Sequence, residues 1–412
     1  MMRALKSATR RKSITAVSAI ATLALLTSAC GASSSGHAVP GMTPANVAKL
    51  NLGPYSGTPG DYKPDITLKD DVFPIESRRL MSVLVSPDEI DSEMTKLVTT
   101  QIIENNSSTF DDMLGVFPTS FKPVAERNNL IGGAYTSRGN GSRRSEKLLA
   151  LAIMRFPSDK AAQAAAAEFE QDIASRHPER HPIPIAGHPA HSGSSTDALG
   201  TAFVAHGPHV ITASLTIPKP DATALSTGLK KVLDLQVARL DTTQPTSPDD
   251  MLDLPQNPSG IMRYALQLPD KIYDSSIKEN TIGFYEPAGD LHFERDAAGL
   301  RRAFAESGVD LIARNDGVVY RTRDLESAFK LQTALTRLGR DDEEVPNPPG
   351  VTDSHCIKLD SREPIRDHTF ICAVVYGRYV GVISAQAKMT GAVDPAFYQR
   401  AAAQYSILTK SE

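Results

Sequence analysis

The spacing of apolar residues predicts helices and hairpins in alternation. The segment PSDKAAQAAAAEFEQDIAS places Ala162, Ala166, Phe169 and Ile173 at helical intervals. Ser158 stands where a side-chain oxygen can accept from the free N–H groups of the first turn. A second helix is predicted behind Thr322 or Asp324, with Leu325, Ala328, Phe329 and Leu335 as its stripe and Gly339 at its left-handed end. Leu225, Leu229, Val232, Leu233 and Leu240 line a third helix; Phe397, Ala401, Tyr405 and Leu408 line a fourth. Arg295–Ser307 reads as a helix ended by Gly308. TAFVAHGPHVITASLTI and FICAVVYGRYVGVISAQ each read as two apolar strands around a turn glycine, Gly207 or Gly377. VDLIAR and VVYRTR flank Asn315-Asp316-Gly317, whose Asp-Gly favours a type I′ turn. Asn140-Gly141 is a looser counterpart, with LLALAIMRF returning. Leu80–Val85 and Met262–Leu268 also read as strands.

These signals occur twice in one order, over about residues 131–240 and 309–410. Met154-Arg155-Phe156-Pro157-Ser158-Asp159 lies opposite Val319-Tyr320-Arg321-Thr322-Arg323-Asp324, and proline-rich loops end in Gly187 and Gly350. The offset drifts only from about 165 to 173, which marks an internal duplication. The predicted class is α+β: two tandem, internally duplicated domains, each an antiparallel sheet with helices packed on one face. Hairpins join the strands, and the βαβ rhythm of a parallel sheet is missing. The expected boundaries are a leader over 1–29, a flexible tether over 30–43, a first domain over 44–240, a polar linker over 241–258 and a second domain over 259–412.

The leader has a basic start, Arg3 to Lys12, then the uncharged ITAVSAIATLALL. Thirteen residues span about 20 Å as a helix, short of the roughly 30 Å of a bilayer core. A secretory signal fits better than a permanent span. Leu26-Thr27-Ser28-Ala29-Cys30 resembles a bacterial lipobox, which implies acylation of Cys30. Thr27 departs from the usual Leu of that pattern. Thr9-Arg10-Arg11 hints at a twin-arginine signal, without its usual Phe at Ser13. GASSSGHAVPGMT after Cys30 suits a tether between lipid and globule.

Composition is ordinary for a globular chain: 412 residues, 41% hydrophobic and 22% charged. With the five bases of the leader set aside, 39 bases face 48 acids, so the body carries −9. An acidic body argues against nucleic acid as a partner, because phosphate neutralisation needs a basic surface. Cys356 and Cys372 remain as an even pair in an exported chain, which reads as a disulfide.

Several stretches carry a further resemblance: LNLGPYSGTP, ESRRLMSVLV, CAVVYGRYVGVIS and AAAQYSIL. With the lipobox and tether, they resemble large exported lipoproteins of mycobacteria, nocardiae and related actinobacteria, a family of unknown function. The resemblance implies a location on the outer face of the cell membrane and an architecture; it carries no catalytic residue. A more distant likeness is to small sensor-like ectodomains of the same bacteria.

Candidate chemistry is sparse. His177, His181, His188, His191, His206 and His209 cluster in sequence, but Pro178, Pro182 and Pro189 break any helix that would align them. A polar loop is expected there, with metal binding through residues 177–209 as an alternative. Asp341-Asp342-Glu343-Glu344 lacks the alternating ligands of a calcium loop and reads as solvated. No Gly-x-Ser-x-Gly elbow, Walker loop, dinucleotide fingerprint or His-Glu-x-x-His is present. Tyr376, Arg378 and Tyr379 form a candidate partner-binding turn. The expectation is a non-catalytic binding or interaction module of the cell envelope, lipid-anchored, without cofactor or metal. An envelope lipid, glycan or protein would sit in the inter-domain cleft. An envelope hydrolase is a further alternative.

Overall fold

The computed structural model describes residues 41–62, 69–105, 109–113, 115–247, 249–267, 269, 281–365, 367–388 and 391–410. The leader, Cys30 and all of the tether before residue 41 lie outside the described residues.

Two seven-stranded antiparallel sheets form the body. The first contains β1 (Lys96–Ile103), β2 (Gly132–Gly139), β3 (Leu148–Arg155), β4 (His181–Pro182), β5 (His191–Ser194), β6 (Leu199–His206) and β7 (His209–Thr216). The second contains β8 (Gly283–Tyr285), β9 (Leu311–Arg314), β10 (Val318–Arg321), β11 (Glu343–Val345), β12 (Ser354–Lys358), β13 (Phe370–Tyr376) and β14 (Tyr379–Ala385). Helices of the first half are α1 (Phe73–Val83), α2 (Pro87–Ile90), α3 (Lys122–Arg127), α4 (Asp159–Arg176) and α5 (Ala222–Asp241). Those of the second are α6 (Pro287–Asp290), α7 (Ala297–Ser307), α8 (Leu325–Leu335) and α9 (Pro395–Thr409).

The strand orders are β1-β2-β3-β7-β6-β5-β4 and, read from its other edge, β8-β9-β10-β14-β13-β12-β11. They are the same topology strand for strand, with α8 in the place of α4 and α9 in that of α5. The likeness reaches single dihedrals: Gly207 and Gly377 both have φ +53, and Gly187 and Gly350 have +85 and +84. Both hairpin turns need the left-handed region that glycine enters at no steric cost. Backbone pairing also corrects the alignment. Arg155 pairs with His209 and Arg321 with Tyr379, so Arg155 is the counterpart of Arg321, one residue from the predicted match.

The α+β class and the two tandem sheets stand as expected, but helices cover both faces of each sheet. In β3, Ile153 faces α5 and α1, whereas Ala152 and Met154 face α4. In β13, Ala373 and Val375 face α8, whereas Cys372 and Val374 face α9. Strands such as LLALAIMR are apolar on both sides, and such runs need two covering layers.

Other local expectations fail for identifiable reasons. Leu80–Val85 largely continues α1, whose inward face carries Glu76, Ser77 and Arg78 and so hides its helical stripe. Met262 falls in a 3-10 turn, and Leu266 N–H donates to the Gln404 side chain (2.8 Å) instead of a strand. Asn315–Gly317 is a three-residue connection without the type I′ dihedrals; its Asp316 is buried and takes the Arg400 guanidinium. Gly339 does not end α8, which stops at Leu335 with Thr336 bonded back to Gln332 O (2.8 Å).

The predicted first boundary also moves. Residues 43–62 pack on the second half, with Leu50, Leu52 and Tyr55 against the core beneath α9. Ala45 N–H donates to Tyr405 Oη (3.0 Å), and Ser406 Oγ to Gly57 O (2.8 Å). Cys356 and Cys372 face each other on β12 and β13 and form the predicted disulfide (S–S 2.03 Å).

One apolar core runs through both halves. It joins Leu80, Met81, Leu229 and Ile211 to Phe293, Phe304, Ile312 and Val380. Across it, Arg138 of β2 is fully buried. Its Nη2 donates to Leu291 O (3.1 Å), His292 O (3.2 Å) and Glu294 O (2.7 Å), and Nη1 to Thr95 O (3.2 Å). Thr100 Oγ1 donates to His292 O (2.7 Å), and the His292 ring donates to Leu84 O (3.1 Å).

Replacing Arg138 with Met strips the donor from four carbonyls at the junction. The expected cost is about 3 kcal/mol, read as a lower urea midpoint by circular dichroism. Replacing Cys356 and Cys372 with Ala frees a short loop in the unfolded chain. That pair is expected to lower unfolding free energy by about 3 kcal/mol, checked the same way.

Candidate functional site

The junction encloses a cleft of about 540 Å³. Thr95, Lys96 and Leu97 of the first half form one side; Arg295, Arg337 and Arg362 of the second lie opposite. A smaller cavity of about 70 Å³ adjoins it, and Glu294, Arg295, Leu335, Glu363 and Ile371 are common to both.

A buried charge cluster forms the wall of this inner cavity. Pro287 opens the single turn of α6, which ends on Asp290; the chain then turns through Leu291–Phe293 to Glu294. Arg314, the last residue of β9, lies between the two carboxylates. Its Nε donates to Asp290 Oδ1 (2.5 Å) and its Nη2 to Glu294 Oε1 (2.7 Å). Tyr320 Oη on β10 donates to the same Glu294 oxygen (3.0 Å). The guanidinium carbon lies 4.5 Å from the Phe293 ring centroid. Asp290 Oδ2 is buried without a hydrogen-bond partner. On the facing wall, Glu363 and His368 lie 3.5 Å apart.

Two carboxylates share one guanidinium in an apolar setting, and the electrostatics follow. Burial, then the Asp290 charge, push Glu294 up to about 7 against the pull of Arg314. Burial opposes the charge on Arg314, but Asp290 and Glu294 outweigh it and hold the guanidinium above its ordinary value. Burial and the same carboxylates raise the Tyr320 phenol well above its usual range. Nearby, burial and then Arg138 lower His292 to about 3. The cluster therefore presents a carboxyl that changes charge near neutrality beside a guanidinium that does not. Perturbed groups of this kind in a cleft mark candidate functional sites.

The residues singled out by sequence are placed elsewhere. In the hairpin turn, Tyr379 is buried and stacks on Tyr264 (4.3 Å between centroids), and Tyr376 meets Tyr405 edge-on (5.9 Å). Arg378 is exposed over the Tyr379 ring. The histidines do not converge. His181 pairs with Asp197 (2.8 Å), His188 with Asp234 (2.8 Å) and His206 with Asp241 (2.7 Å). His209 is buried beside Arg155; burial and that charge lower it to about 3. Among the described residues no three His, Cys, Asp or Glu side chains form a metal-holding group. The acidic run is only partly solvated: Asp342 takes Arg295 (2.7 Å) and the N–H groups of Gly339 (2.7 Å) and Asp360 (3.0 Å). These bonds hold Asp342 well below the carboxylate range despite partial burial.

Asp290, Glu294, Arg314 and Tyr320 escape a motif search because they span thirty positions with no fixed spacing. The usable signal is charge inside apolar strands: Arg314 closes the apolar strand LIAR.

The chain matches the domain of unknown function DUF7373 in both its parts. Residues 64–256 match the N-terminal domain and residues 263–411 the C-terminal domain. Together these cover most of the sequence, and the chain belongs to that family. Among solved structures, it is similar to the extracellular domain of PknH from Mycobacterium tuberculosis at 10% identity. That match covers 39% of this chain and 95% of the other, with a TM-score of 0.26. No curated protein matches.

Raised above the ordinary 4.5, the Glu294 carboxyl favours folding most below that pH, and this contribution is lost as pH rises through about 7. Glu294→Gln removes that loss. The thermal midpoint of the variant relative to wild type is expected to rise as pH goes from 5 to 8, followed by calorimetry.

Proposed function

We propose that this protein is an exported, lipid-anchored, non-catalytic binding module of the cell envelope, with its ligand held in the polar cleft between the halves. The leader and the lipobox-like Cys30 support export and anchoring. Among the described residues no helix is long and apolar enough to cross a membrane. The observation that carries the binding role is the cleft itself: both halves line it, and it opens onto the Arg314–Glu294 cluster. Clefts at domain junctions are favoured ligand sites. Its lining sets Lys96, Arg295, Arg337 and Arg362 beside Glu294, Asp296, Asp360 and Glu363, so it offers both donors and acceptors to a polar ligand: an envelope glycan, a polar lipid head group or a protein segment.

One observation favours a second reading, an envelope hydrolase. Glu294 titrates near neutrality beside Asp290, as an acid–base pair would. Both carboxylates are already tied to Arg314, which suits a fixed recognition surface better than proton transfer. Hydrolysis of envelope glycans or esters that vanishes in Glu294→Gln would favour the hydrolase.

Native mass spectrometry of residues 31–412, exported from an actinobacterial host and kept non-reduced, tests the binding role. A stoichiometric extra mass that Leu97→Arg removes is the expected result. A bare chain would overturn the small-ligand reading and turn attention to crosslinking of protein partners.

A further inference from the structure

A second junction cleft, of about 500 Å³, differs in chemistry from the polar one. Ile75, Leu254, Pro258, Phe284, Val309 and Leu311 line it, from both halves and the connector between them. At its border lies Arg78 of α1, which is 8% exposed. Its Nη1 donates to Ile282 O (3.0 Å), while its Nε is buried without a partner. Among the described residues no carboxylate pairs with it, whereas the adjacent Arg79 is held by Glu76 (2.7 Å). The backbone makes room for this cation: a Cβ at Gly283, where φ is +150, would lie 2.5 Å from Arg78 Nε. A buried cation without a counter-ion is costly, and an anion beside it recovers that cost. The cleft thus sets an apolar bore beside a guanidinium that neither carboxylate of its lining, Glu286 or Asp310, takes as an ion-pair partner.

Its position suggests where the ligand comes from. Leu311 pairs with Arg321 and Arg321 with Tyr379, so the cleft wall and the Gly377-Arg378 turn share one end of the second sheet. At about 4.8 Å per strand, some 10 Å separate them. Asp310, also in the cleft wall, is held by Arg321 (2.7 Å). The chain approaches the body at this same end. Gly377 N–H donates to Met42 Sδ (3.1 Å), Thr43 N–H to Asp353 Oδ2 (2.5 Å) and Thr352 Oγ1 to Thr43 O (2.9 Å). Cys30 is a dozen residues back, within about 40 Å at full extension.

We infer that this cleft binds a single acyl chain with an anionic head, drawn from the bilayer that the anchor holds alongside. The head neutralises Arg78, and the chain lies along Phe284, Val309 and Leu311. The bilayer as source rests on the lipid anchoring proposed above; the pocket and its ligand chemistry do not.

The chain contains no tryptophan, so Phe284→Trp gives a single emission reporter inside the cleft. Residues 31–412 carrying it would be titrated with palmitate. A saturable blue shift at one palmitate per chain is expected, with hexadecanol at least tenfold weaker. Leu311→Glu in the same background is expected to weaken palmitate at least tenfold with an unchanged circular dichroism spectrum. Arg78→Gln is expected to equalise acid and alcohol; should it fail to fold, the comparison of the two ligands on the intact Arg78 chain decides. No saturable shift, or one that Leu311→Glu leaves intact, overturns the site. Equal binding of acid and alcohol with Arg78 present overturns the role of the guanidinium. Leu97→Arg, in the polar cleft, leaves palmitate binding unchanged, so failure here and failure of the polar-cleft reading are separate results.

Discussion

The Arg138 guanidinium holds the two halves in one body. It rises from the first sheet with no access to solvent and closes on carbonyls of the turn between α6 and α7. A buried charge must be surrounded by acceptors, so that turn has little freedom to sit elsewhere. The same turn places Glu294 at the cleft and leads from Asp290, so the geometry of the charge cluster depends on a residue that does not belong to it. Burial also explains the neutral His292 packed beside this contact, whose ring bonds to Leu84 O and draws α1 into the same arrangement.

The duplicated units do not meet by equivalent surfaces. The first half turns its α5 face into the shared core; the second turns its α8 face, the counterpart of α4. Packing is therefore front to back, and a two-fold axis between the halves is excluded. A symmetric pair would carry two copies of any junction site. Here the polar and apolar clefts are built from non-equivalent residues of the two halves. Duplication supplied the scaffold, and the asymmetric junction supplied the chemistry.

Much of this scaffold is legible in sequence because its signals are local. Ser158, Asp324, Gly207 and Gly377 act within a few residues of where they stand, and the stripes of α5 and α9 repeat at short range. The failures share one cause: polar residues with partners distant in sequence. Glu76 and Arg78 face inward on α1 and erase its periodicity. Asp316 resembles a turn residue but serves Arg400, eighty-four positions away. The Asp290–Glu294–Arg314–Tyr320 cluster is of the same kind, since its meaning lies in convergence. The docking of the connector on the first half was equally hidden, because a linker-like stretch such as 241–258 does not reveal that Met251 is buried against Val72 and Ile75.

The strap formed by residues 43–62 has a mechanical consequence. It lies along α9 and is tied near one end to Asp353 and Thr352, and farther along to Tyr405, Ser406 and Lys410. Under the proposed anchoring at Cys30, tension from the membrane enters the body at the second half, although the chain has not yet built the first. Several hydrogen bonds and the half-buried Leu50, Leu52 and Tyr55 share that load. The first half then hangs beyond the load path, so strain on the anchor reaches the junction clefts from one side only.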